Sequence, residues 1–98
     1  MKDVTKLVCD CIETMGWKME REDSNVLDGM FAFVKDDNIC IDVSGSGDNV
    51  EIVLIGDQGD FRHFRGEDED VVYVLLGYLF VHRYISLSDM GKCSKILL

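Results

Sequence analysis

The chain has 98 residues, 47% of them hydrophobic and 30% charged, which fits one small domain (1–98) with a modest core and excludes a disordered tail. Nineteen acidic residues against ten basic ones give a formal net charge of −9. That field repels phosphate backbones and anionic bilayers, so direct nucleic-acid or membrane-surface binding is not expected, whereas a protein partner with a basic surface is.

The first element is a helix. Val4, Leu7, Val8, Cys11, Ile12 and Met15 recur at helical spacing between polar positions, which marks one buried stripe. Asp3 suits its N-cap and Gly16 its C-terminal stop. From Trp17 to Glu22 the residues alternate as in a strand with one wet face. Asp23 to Gly29 reads as a turn. Its resemblance to a calcium loop fails, because Leu27 stands where a ligand is needed.

Met30–Val34 is a short apolar strand closed by a turn at Asp36–Asn38. Ile39, Ile41 and Val43 alternate with Cys40, Asp42 and Ser44. The Gly-rich loop from Ser44 to Asn49 joins this run to Val50–Ile55, as in an antiparallel hairpin. After a turn at Asp57–Asp60, Phe61–Arg65 leaves room for one further short strand. A second helix is expected from near Glu67 to about Tyr84, its acidic start (Glu67–Asp70) favoured by the helix dipole. Ser86 to Leu98 reads as an edge strand or a loose end. The fold class is therefore α+β: an N-terminal helix, an antiparallel sheet of about four strands, then a strongly hydrophobic second helix.

That second helix carries more apolar surface than one sheet can cover. Val72, Leu75, Leu76 and Leu79 form one stripe. Tyr73, Gly77, Phe80 and Tyr84 form a second, and Val74, Tyr78, Val81 and Ile85 a third. Either the rest of the chain wraps this helix or another chain does. Tyr73, Gly77, Phe80 and Tyr84 are the expected contact face of a homodimer or partner complex, with Gly77 permitting close approach.

No motif names a reaction. Cys9, Cys11, Cys40 and Cys93 form no C-x-x-C pair, and His63 and His82 are far apart in sequence, so neither a metal site nor a cofactor is expected. No Ser or Cys nucleophile is joined by spacing to a base, and an enzyme is not expected. The longest unbroken apolar stretch, Val71 to Val81, has 11 residues, too few to span a bilayer. Met1–Val4 opens no apolar leader, so reduced thiols and a cytoplasmic setting are expected.

Two binding roles remain. The acids Asp36, Asp37, Asp42, Asp48 and Glu51 cluster around the central turns and hairpin. They suit an inhibitor or antagonist that occupies a basic protein surface, for example that of a nucleic-acid-handling enzyme, by mimicking phosphates, or an immunity protein. The alternative is a homodimeric chaperone-like or scaffold protein that works through the hydrophobic helix.

Overall fold

The computed structural model describes residues 3–23, 29–36, 38–46 and 49–97, with the backbone alone at 21–23 and 46. Asp37, Asp48, Leu98 and most of the calcium-like loop lie outside the described residues.

The first helix, α1, runs from Val4 to Thr14. The Asp3 carboxylate accepts from the Lys6 N–H at 3.1 Å, which satisfies a helix-start donor. At the other end Gly16, with φ +90°, turns the chain out of the helix. The Trp17 N–H then donates to the Ile12 carbonyl and the Gly16 N–H to that of Glu13. These are the two bonds of a glycine-terminated helix end, and Trp17 and Ile12 are both buried behind them.

Five strands follow: β1 (Lys18–Asp23), β2 (Met30–Lys35), β3 (Ile39–Ser46), β4 (Asn49–Ile55) and β5 (Phe61–Gly66). They form one antiparallel meander in chain order. The sheet thus has five strands rather than about four, because Phe61–Gly66 pairs along β4 from Ile55↔Phe61 to Val50↔Gly66. The β3–β4 ladder also runs beyond the expected loop boundary, to Ser46↔Asn49.

Strand alternation divides this sheet into two unlike faces. Phe33, Ile41, Val43, Val50, Ile52 and Leu54 are all buried on one face, under α1. Helix α2 (Asp70–Val81) lies beside β5, and α3 (Leu87–Leu97) packs on α1 and α2. The Cα trace measures 32 × 29 × 19 Å. Its short dimension fits one layer of helices on one sheet, each layer being about 10 Å thick.

Helix α2 is shorter than its periodicity suggests. It begins at Asp70 because the Asp68 carboxylate takes the Asp70 N–H in a preceding turn. It ends at Val81 because Arg83 adopts φ +63°. The Tyr84 N–H then returns to the Leu79 carbonyl and the Arg83 N–H to that of Phe80, so the helix closes as α1 does, but without a glycine.

The tail is neither an edge strand nor a loose end but the helix α3. Ser86 and Asp89 cap it reciprocally: the Asp89 N–H donates to Ser86 Oγ at 3.1 Å, and the Ser86 N–H to Asp89 Oδ2 at 2.9 Å. Cys93 and Leu97 are buried one turn apart, and the Cys93 thiol donates to the Cys11 carbonyl of α1 at 3.4 Å. None of the four cysteines is in a disulfide. Among the described residues, no helix is long and apolar enough to cross a membrane.

Candidate functional site

With the helices on one side, no described element covers the other face of the sheet. Strand alternation places there Met30, Ala32 and Val34 from β2, Cys40, Asp42 and Ser44 from β3, Glu51, Val53 and Ile55 from β4, and Phe61, His63 and Arg65 from β5. This face is unusually apolar for one in water: Met30 is 49% exposed, Ile55 44% and Phe61 63%. Across β2, β3 and β4 it sinks into a groove of about 240 Å³, floored by Met30, Ala32 and Val53 and edged by Asp42, Ser44 and Glu51. That volume is below the roughly 300–1,000 Å³ of small-molecule pockets and fits one or two protein side chains.

The register gives each carboxylate its place. Asp42 stands on the central strand between Ala32 and Val53, and is exposed. Glu51 pairs across from Ser44, diagonal to Asp42 and within reach of the same ligand. On its far side Glu51 meets Arg65 at 3.8 Å and His63 at 4.0 Å. Both contacts are solvent-exposed and weak. The Cys40 thiol donates to Asp42 at 3.5 Å. Burial, followed by the negative charge of Asp42 and Glu20, pushes this thiol up to about 11. Cys40 is therefore protonated at neutral pH and a poor nucleophile.

Of the expected acidic residues, Asp42 and Glu51 come together at the groove. Asp36 does not join them. It sits in the β2–β3 turn with φ +55°, opposite Asn38 because Lys35 pairs with Ile39, and so about 13 Å from Asp42 along the strand direction.

A second cluster ties the β4–β5 turn to the end of α2. Asp60 accepts from the Tyr78 hydroxyl at 2.6 Å and the Tyr84 hydroxyl at 2.8 Å. Arg62 Nε donates to the Tyr78 oxygen at 3.1 Å, and the Asp57 N–H to the Tyr84 oxygen at 3.2 Å. His82 stacks on Tyr78 with ring centres 4.0 Å apart. The hydroxyl donors hold the Asp60 carboxyl below its usual range, while desolvation raises both tyrosines. An ionised acid held by two neutral phenols forms a structural clasp at neutral pH.

That clasp corrects the expected contact face on α2. Tyr84 lies past the helix end and is buried, with its hydroxyl spent on Asp60. Tyr73, at 49% exposure, and Phe80, at 41%, face outward, and Gly77 between them is half-buried. Sequence periodicity placed Tyr84 on this face because it continued the helix through Arg83. The exposed residues that complete the face are Val74 and Val81. Among the described residues, no group of three or more His, Cys, Asp or Glu side chains is placed to hold a metal ion.

Comparison of the chain with protein-family models, curated proteins and solved structures gives no match.

Proposed function

We propose that this chain is a non-enzymatic protein-binding module whose open sheet face receives a basic amphipathic helix of another protein, and that it acts as an inhibitor or antagonist by occupying that helix. The observation that carries this reading is the groove: an apolar floor edged by the carboxylates of Asp42 and Glu51, with no base among the described residues of its lining. A sheet with one apolar face uncovered lacks the layer that would bury it, and a helix is the ordinary covering element. Leucine-like side chains of such a helix fit the floor, and flanking arginines reach Asp42 and Glu51. The overall charge of −9 steers a basic partner toward the molecule from any direction. Four cysteines outside any disulfide suit a reducing compartment such as the cytoplasm.

The test uses a fluorescent synthetic helix of about five turns, with one leucine stripe flanked by arginines. Its binding is followed by anisotropy. Replacing Asp42 by Asn together with Glu51 by Gln is expected to weaken binding about tenfold, near 1.4 kcal/mol. Raising salt to about 0.5 M is expected to weaken it further. Binding indifferent to salt would contradict the proposal. So would an equal loss when Glu13 and Glu67, which lie off this face, are neutralised instead.

A further inference from the structure

The outer side of α2 is a second uncovered apolar surface, on the helical layer rather than on the open face. Tyr73, Val74, Phe80 and Val81 are 49%, 58%, 41% and 73% exposed. At 3.6 residues per turn these four and Gly77 occupy one arc of about 120°, opposite the buried Val72, Leu75 and Leu79. Gly77 lies at the centre of the arc and of its sequence, since Tyr73 and Val81, and likewise Val74 and Phe80, are equidistant from it. A Cβ added at Gly77 would meet nothing within 4 Å. The fold itself therefore gives no reason for a mid-helix glycine that costs about 1 kcal/mol relative to alanine.

We infer that α2 pairs with α2 of a second copy of the chain, antiparallel and crossing at Gly77. A two-fold axis through Gly77 brings Tyr73 against Val81 and Val74 against Phe80, so the face is complementary to itself, as a symmetric dimer requires. The missing Cβ at the crossing lets the two backbones approach closely.

Charge supports a second copy as the occupant. No residue from Val71 to Val81 is charged, in a chain of net −9, so the seam brings no like charges together at its centre. At each end the antiparallel arrangement sets the acidic run Glu67–Asp70 of one copy beside the exposed Arg83 of the other. The area also fits. The four exposed side chains offer roughly 400 Å² per copy, given about 150–250 Å² for a whole aromatic side chain. Two copies with their flanking residues reach about 1,000 Å², the lower edge of specific interfaces. For an interface at that lower edge we take a dissociation constant of roughly micromolar order as the working value. Because the seam lies on the helical layer, the pair would keep both open sheet faces free and could hold two partners at once.

Light scattering on a sizing column, over a concentration series up to about 0.5 mM and well above that dissociation constant, tests the seam. The full chain is expected at about twice its 11.1 kDa mass. Val74→Glu and Val81→Glu, both at exposed positions, are expected to return it to the monomer mass with unchanged thermal unfolding of the monomer. Gly77→Ala is the sharper variant. Its methyl raises helix propensity, so the monomer gains stability, but it enters the crossing and weakens the dimer about tenfold or more. Arg83→Glu is expected to weaken the dimer, and Asp70→Arg added to it to restore pairing. A monomer throughout the series would overturn the inference, as would a dimer that persists unchanged in Val74→Glu and Gly77→Ala. Either result leaves the helix-binding test of the open face separately decidable.

Discussion

Cys40 is half-exposed yet pushed up to about 11, because partial burial and the neighbouring carboxylates Asp42 and Glu20 oppose the thiolate. The other three cysteines are buried. Alkylation of the folded protein by iodoacetamide is therefore expected to be slow at pH 8 and to rise toward pH 11, with mass spectrometry locating the label on Cys40. Replacing Asp42 by Asn is expected to shift that profile to lower pH. Gly56 makes a different point. A Cβ there would run into the Tyr84 hydroxyl and its ring carbon, so only glycine fits beneath the Asp60 clasp. Gly56→Ala is expected to destabilise the fold by about 1–3 kcal/mol in urea unfolding, as overpacking does. Neither constraint is readable from the sequence, since Gly56 and Tyr84 are brought together only by the return of the chain past α2.

At the scale of elements, local signals were strong where bonds are local. The Asp3 cap and the Gly16 stop bound α1, and both act within one turn. The capping pair Ser86 and Asp89 carries the same kind of signal for α3, and Met90, Cys93 and Leu97 follow it at helical spacing. It was obscured by the short apolar end of the chain, which resembles a strand as readily as a helix. Ser86→Ala is expected to cost about 1 kcal/mol by removing the acceptor for the Asp89 N–H. The end of α2 was not legible. Arg83 takes a left-handed conformation that its residue type disfavours, and what holds it there is the tertiary anchoring of Tyr84 on Asp60. For the same reason helical periodicity alone puts Tyr84 on the outer face, where Val74 and Val81 in fact stand exposed. The apolar excess of α2 could be read directly, but which part of it stays exposed depends on the side that meets β5.

At the scale of the molecule, the two layers leave two apolar surfaces uncovered among the described residues, one on the sheet and one on α2. The alternation of β3 and β4 made the inner and outer residues legible. The position of the helices did not follow from it, because a sheet with apolar residues on both faces gives no sign of which one they cover. The acidic residues illustrate the same limit: Asp42 and Glu51 meet only through the β3–β4 register, while Asp36 stands apart at a turn. Stability should carry a signature of the carboxylates held low. Asp60 is lowered by the Tyr78 and Tyr84 hydroxyls, and Asp89 by the Ser86 backbone and side chain. A depressed folded pKa gives stability that is present above the ordinary value of 3.8 and is lost as pH falls through the lower folded value. The urea midpoint is thus expected to fall below about pH 4, and to fall less steeply in Asp60→Asn.

The most direct test of the proposed binding face is amide chemical-shift mapping of the labelled protein during titration with the leucine-striped, arginine-flanked helix. Shifts concentrated at Ala32, Asp42, Ser44, Glu51 and Val53, and abolished in the Asp42→Asn, Glu51→Gln variant, are the expected result. Shifts spread over Glu13 and the Glu67–Asp70 run, with the sheet amides unmoved, would show attraction to bulk negative charge alone and contradict a binding site on the open face.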